Sequence, residues 1–264
     1  MYNLKMAKKI IIANWKMNPE TGEKAKELFS LSRKAALKLK NTKVVICPPN
    51  IYFQSLGGLA SKSGRISMGA QDVSIFSGSG PQTGEISAEM LKKIGVEYVI
   101  LGHSSRRELG ESGSDINKKI KNSLATGLKP ILCVGEKERC DNGEFMKVVE
   151  AQLKESLDGL KSEKSLKNLI IAYEPVWAIS KKGSFKADNP DSVFGMSIFI
   201  RKTLAAILGE DAVKKIPIIY GGSVASQTVK DFLERGGVNG LLVGGKSLVA
   251  KEFEEILKIA DSSK

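Results

Sequence analysis

Cysteine is scarce in this chain, histidine scarcer still, and no apolar run is long. The three cysteines, Cys47, Cys133 and Cys140, are an odd number without a CxxC pair. Disulfide frameworks and zinc sites are therefore unsupported, and a reduced, cytoplasmic protein is expected. Cys133 lies inside an apolar run and reads as a small core residue. One histidine, His103, leaves no cluster of metal-ligand spacing, so no metal is expected. No run approaches the ~20 residues of a membrane span, and the opening MYNLKMAKK has no apolar stretch of signal-peptide length. No membrane association is expected. A nucleotide fingerprint and a Ser-His-Asp set are also missing, as are internal linkers and low-complexity segments. One domain over residues 1–264 is the expectation.

What is present is ordinary in bulk and uneven in charge. Hydrophobic residues make up 42% and charged residues 27%, as in a folded soluble protein. The net charge is +12, which raises nucleic-acid binding first. The lysines, however, are intermixed with acids along helical stretches such as Glu23–Lys40, with no arginine-rich tract and no interleaved aromatics. The expectation is no nucleic-acid partner, and a basic surface that attracts a phosphorylated metabolite.

Short apolar runs alternate with longer amphipathic stretches. The runs are Lys9–Ala13, Lys43–Cys47, Ile66–Ala70, Tyr98–Leu101, Pro130–Val134, Leu169–Tyr173, Pro217–Tyr220 and Gly240–Val243. Most are continuously apolar, the mark of strands buried on both faces of a parallel sheet. Between them, Leu28, Leu31, Ala35 and Leu39 share one helical face, as do Ile116, Ile120 and Leu124, and Phe253, Ile256, Leu257 and Ala260. Strand–helix units repeated in this way predict an α/β fold, a single (β/α)8 barrel of parallel strands. A doubly wound sheet is the alternative, which the number and even spacing of the strands disfavour.

Barrel enzymes work at the C-terminal ends of their strands, where the distinctive residues fall. The run ending at Tyr173 delivers Glu174 ahead of the rigid Pro175 and the large Trp177, a placement suited to a general base. Lys16 follows the first run and can hold an anion. His103 follows the fourth run and opens a helical turn, where a neutral imidazole can donate to an oxyanion. Gly221–Gly222 and Gly244–Gly245 follow the seventh and eighth runs, the usual phosphate site of such barrels. A base, an electrophile, a lysine and a phosphate cradle, with no redox cofactor, suit proton abstraction beside the carbonyl of a small phosphorylated compound.

Together these motifs resemble the triosephosphate isomerase family across nearly the whole chain. They are NWKMN at 14–18, GAQD at 69–72, TGEIS at 83–87, LGHS at 101–104, CVGE at 133–136, AYEPVWAI at 172–179, YGGSV at 220–224 and LVGG at 242–245. The resemblance implies interconversion of dihydroxyacetone phosphate and glyceraldehyde 3-phosphate in glycolysis and gluconeogenesis, without a cofactor. It implies Glu174 as base, His103 as electrophile, and Asn14 and Lys16 in the pocket. Ser180, Ser223, Gly244 and Gly245 would bind phosphate, with Glu136 and Tyr220 behind these groups. The segment after Trp177 would be a closing lid. Residues 71–85 would dock into a second subunit, Thr83 approaching its Asn14, so a homodimer is implied.

Three positions depart from the family pattern. Ser105 stands where the family has a glutamate, which would leave Lys16 without its counter-charge and lower the rate by an order of 10²-fold. A barrel that has lost catalysis and only binds phosphorylated ligands is the alternative this raises. The lid, 178–190, reads about three residues longer than usual and lacks a glycine-rich tip. Gln82 replaces an aromatic in the docking loop, which would weaken the dimer.

Overall fold

The computed structural model describes residues 9–60, 66–139, 143–160, 166–179 and 188–263. Cys140, Ser180 and the rest of the lid up to residue 187 lie outside the described residues.

Eight strands form a closed barrel in chain order. They are β1 (Lys9–Asn14), β2 (Thr42–Cys47), β3 (Ile66–Ala70), β4 (Tyr98–Leu101), β5 (Lys129–Val134), β6 (Ile170–Tyr173), β7 (Ile218–Tyr220) and β8 (Gly240–Val243). Every neighbouring pair is parallel, and β8 closes onto β1. The eight apolar runs of the sequence are these strands, each end within a residue of its expected place. The reason is physical: nearly every strand residue is buried, so neither face leaves a polar alternation.

The helices are α1 (Gly22–Ala36), α2 (Phe53–Ala60), α3 (Ala88–Lys93), α4 (Ser104–Glu108), α5 (Gly113–Ala125), α6 (Glu144–Ser156), α7 (Pro190–Leu208), α8 (Glu210–Val213), α9 (Ser226–Arg235) and α10 (Ala250–Ser262). Side-chain oxygens of Thr21, Ser87, Ser112 and Asn189 accept from backbone N–H groups in the first turns of α1, α3, α5 and α7. These caps satisfy donors that the helix geometry leaves without partners. The expected apolar faces of α5 and α10 point inward, with Ile116, Ile120, Phe253, Ile256, Leu257 and Ala260 buried. In α1, Leu28 and Ala35 are buried but Leu31 is 40% exposed. Leu39 lies past the end of that helix and is buried from the following turn.

Two apolar layers result. Inside the barrel, Ile10, Ile12, Val45, Ile100, Ile131 and Ile219 pack with Cys47 and Cys133. Burial pushes both thiols above their ordinary range, Cys133 also feeling the nearby Glu174. A larger layer fills the space between strands and helices. Inward-facing side chains plug the barrel, so a ligand can reach only its two ends.

Candidate active site

The C-terminal ends of β1, β4, β6, β7 and β8 surround a cavity of about 170 Å³. Asn14, Lys16, His103, Glu174, Ser223, Gly244 and Gly245 all line it. These seven sequence-predicted groups thus converge on one place from five strands, whereas Ser105, Glu136, Tyr220, Thr83 and Gln82 do not line it.

Glu174 directly follows β6 and is 3% exposed. Its backbone N–H donates to Val134 O at 2.8 Å, extending the β5–β6 ladder by one bond. Gly135 lies against it: a Cβ there would sit 1.8 Å from Glu174 O. Gly221 clears space on the other side, where a Cβ would meet Glu174 Cγ at 2.8 Å. Glu174 is thus set between two positions that only glycine fits, Gly135 against its backbone and Gly221 against its side chain. Its Oε2 accepts the Ser104 N–H at 3.4 Å, and its Oε1 lies 3.5 Å from His103 Nε2.

His103 caps α4. Its Nδ1 accepts the backbone N–H of Ser105 at 3.2 Å. A nitrogen that accepts this bond carries no proton, so the network assigns a neutral ring with its proton on Nε2. That N–H faces Glu174 and the cavity. Ser105 Oγ lies 2.8 Å from the same Nδ1. The hydroxyl at the departing position is therefore directed to His103, not to Lys16.

Lys16 is held by its backbone. It has φ of 54°, the one non-glycine residue in the left-handed region among those described. Asn14 Oδ1 accepts its N–H at 3.0 Å, and Gln71 Nε2 donates to its carbonyl at 2.7 Å. This strain is the kind that surrounding bonds sustain at functional sites. The side chain is exposed and reaches across to β8, where a Gly244 Cβ would lie 3.9 Å from its Nζ. Lys16 is not a buried charge, so the expected cost of a missing counter-ion does not arise in this chain.

Gly244 and Gly245 open a 3-10 turn, Gly245–Leu248, whose first N–H groups have no acceptor within the turn. Ser247 N–H and Oγ both donate back to Gly244 O, at 2.8 and 2.7 Å. Ser223 is differently engaged: its N–H and Oγ donate to Ala178 O at 3.0 and 2.7 Å. It ties the start of the lid to the loop after β7.

Behind the carboxylate, Glu136 is 1% exposed. Its Oε1 accepts from Tyr173 Oη and Trp177 Nε1, both at 2.9 Å. Burial, and then the Glu136 charge, push the Tyr173 phenol far above its ordinary range, keeping it a donor. Tyr220 is fully buried, stacks on Phe232 with ring centroids 4.3 Å apart, and accepts the Asp188 N–H at 3.4 Å. Thr83 is exposed and Gln82 half-buried, and neither lines this cavity. Sequence reasoning missed Gly135, Gln71, Lys246 and the Ser104 N–H, and it read Gly221 as part of the phosphate cradle, not as a neighbour of Glu174. Gly135 and Gln71 fall in quoted motifs, but only the fold reveals what they touch. Among the described residues, no group of three or more His, Cys, Asp or Glu side chains could hold a metal ion.

Residues 9–260 match the family model described as triosephosphate isomerase. The chain is 41% identical over 258 residues to the triosephosphate isomerase of Natranaerobius thermophilus, covering 97% of each chain. It is 42% identical over 260 residues to that of Dictyoglomus thermophilum, covering 96% of this chain and all of the relative. That of Dehalococcoides mccartyi is 41% identical over 253 residues, or 95% of this chain and 96% of the relative.

Proposed function

Because the chain belongs to the triosephosphate isomerase family, we propose that it interconverts dihydroxyacetone phosphate and D-glyceraldehyde 3-phosphate, in glycolysis and gluconeogenesis. The observation that carries this reading is the pairing of Glu174 Oε1 and His103 Nε2, 3.5 Å apart, over a cavity that also holds Lys16 and the Gly244–Gly245 turn.

The chemistry follows from the geometry. Glu174, buried beside the cavity, takes a proton from the carbon beside the substrate carbonyl. Charge then develops on the carbonyl oxygen, and the Nε2–H of His103 donates to it. A neutral donor aimed in advance stabilises this enediolate without reorganisation. His103 gives its Nε2 proton to the former carbonyl oxygen and recovers one from the neighbouring hydroxyl, and Glu174 returns the carbon-derived proton to the neighbouring carbon, which completes the isomerisation with no net change in the protein. Lys16 and the N–H groups of Gly244 and Gly245 hold the phosphate dianion. Asn14 fixes Lys16 in its left-handed conformation. Ser180, which lies outside the described residues, joins the phosphate site when the lid closes, and Ser223 and Tyr220 steer that segment. Closure excludes water from the enediolate.

The protein acts in the cytoplasm as a homodimer, with Thr83 reaching Asn14 of the partner subunit. A barrel that only binds phosphorylated ligands is not favoured, since base and electrophile face one another across the cavity. The decisive experiment is a coupled assay of glyceraldehyde 3-phosphate formation. Glu174→Gln keeps size and hydrogen bonding but removes the base, and kcat should fall by about 10²–10⁴-fold. Full activity in that variant would overturn the assignment.

A further inference from the structure

We propose that the opposite end of the barrel is a second anion site, which binds a small oligophosphate through Arg201, Lys43 and Lys129. This goes beyond the isomerase reading and does not depend on it.

The site is a cavity of about 290 Å³ whose lining includes Ile10, Tyr98, Lys129, Ile170, Pro217 and Asn239. These residues begin, or lie within two residues of, the starts of β1, β4, β5, β6, β7 and β8. The cavity therefore opens at the N-terminal ends of the strands, with the plugged barrel between it and Glu174.

Its charge is one-sided. Apart from Tyr98, the ionisable side chains that line it are Lys43, Lys129, Lys167, Arg201, Lys214 and Lys215. Net charge alone does not produce this. The cavity between the loops after β3 and β4 sets Asp72, Glu85, Glu111 and Asp115 against Arg106 and Lys119. At the basal cavity, Lys43 and Lys129 share one carboxylate: Glu97 lies 3.5 Å from the first and 3.3 Å from the second. The same Glu97 also accepts from Ser67 Oγ at 2.6 Å. The two ammonium groups flank the Tyr98 ring, 5.1 and 4.9 Å from its centroid. They are held in place and under-compensated.

Arg201 supplies the recognition element. It projects from α7, half-buried, and its Nη2 donates to Asn239 Oδ1 at 3.1 Å. That oxygen also accepts the Ile218 N–H at 3.0 Å, so the amide is fixed. The guanidinium is thus paired with a neutral group, and among the described residues no carboxylate lies within 4 Å of it. Burial lowers its pKa with no opposing charge to offset the cost. A guanidinium has five N–H donors and matches phosphate oxygens bidentately. A diphosphate would bridge Arg201 and the Lys43–Lys129 pair, and Tyr98 and Pro217 would seat a metabolite attached to it.

The test is calorimetric titration of the full chain with inorganic pyrophosphate at 0.15 M salt. All titrations use a Lys16→Ala background, so that the catalytic mouth contributes little. Asn239→Asp places a carboxylate on Arg201 and preserves the bond to Ile218; Lys129→Gln removes one ammonium. Saturable binding that weakens at least tenfold in both variants is the expected result. In chains that retain Lys16, the two substitutions should leave kcat/KM for the isomerase unchanged. Titration with ADP separates the sources: equal affinity assigns recognition to the diphosphate alone, tighter affinity adds the nucleoside. Absence of pyrophosphate binding, or binding indifferent to both substitutions, overturns the proposal. So does a single-stranded RNA that binds with this sensitivity when pyrophosphate does not.

Discussion

Gly135 has no chemistry of its own, yet it governs where Glu174, the proposed base, stands. A Cβ at this position would collide with Glu174 O at 1.8 Å, and that atom is backbone. Gly135→Ala must therefore displace the end of β6. A shift of about 1 Å at a reacting group costs roughly 10²-fold in rate. Steady-state kinetics on a variant that still folds should show that loss in kcat. Ser105 acts on the other partner. Its hydroxyl and its N–H both meet Nδ1 of His103, at 2.8 and 3.2 Å. Ser105→Ala keeps the N–H and removes the hydroxyl. One such bond contributes about 1 kcal/mol, so kcat should fall roughly fivefold with KM unchanged. Ser105→Glu would restore the family residue but only against an exposed lysine, and an exposed pair is worth about 0–1 kcal/mol. Its kcat should stay within roughly fivefold of the parent, and a gain of about 10²-fold would refute the direction of Ser105 toward His103. The sequence marks Ser105 as a departure; where its hydroxyl turns depends on the cap of α4, which no residue type announces.

At the scale of elements, strands were more legible than helices, and burial explains the difference. A barrel strand is enclosed on both faces, so its apolar run begins and ends nearly where its hydrogen bonds do. A helix is enclosed on one face, and its apolar pattern can take in an exposed position, as at Leu31 within α1, or run past the cap, as at Leu39. The candidate catalytic groups were legible because each ends a strand or follows one within two residues. Gln71 and Gly135 were not, because their roles are contacts across strands. Ion pairs between elements are equally hidden in the chain. Lys119 on α5 is 6% exposed and bonds both Asp72, at 2.7 Å, and Glu111. It joins the loops after β3 and β4, with Arg106 adding a second bond to Asp72 at 2.9 Å. Lys119→Met would leave the Glu111 carboxylate buried without its cation. Removing one member of such a pair costs about 3–5 kcal/mol. Denaturant unfolding should show a loss of at least about 3 kcal/mol, and a smaller loss in Asp72→Asn, whose side chain is 25% exposed.

For the whole molecule, four of the twelve large apolar residues exposed among the described ones lie on one side of the barrel mouth. Met17 is 93% exposed, Ile51 79%, Phe76 46% and Leu109 79%. They occupy the segments that follow β1, β2, β3 and β4, which are consecutive around the barrel. Apolar side chains gathered in this way mark an interaction surface. The exposed loop at residues 76–81 and 83–85 projects beside them, with Thr83 near its tip. A second copy offers a matching surface under two-fold symmetry, and a stable pair needs about 800 Å² from each partner. The loop also bears on catalysis, because Gln71 at its base holds the carbonyl of Lys16. Docking would restrain the loop, and through Gln71 the strained Lys16 at the proposed phosphate site. Sedimentation at micromolar concentration should therefore give twice the chain mass. Phe76→Glu, which puts a charge into the apolar band, should give single chains. Those single chains should keep the barrel's circular dichroism but lose most of their kcat. A Phe76→Glu variant that remains dimeric would move the interface elsewhere, and a monomer with full activity would break the link through Gln71.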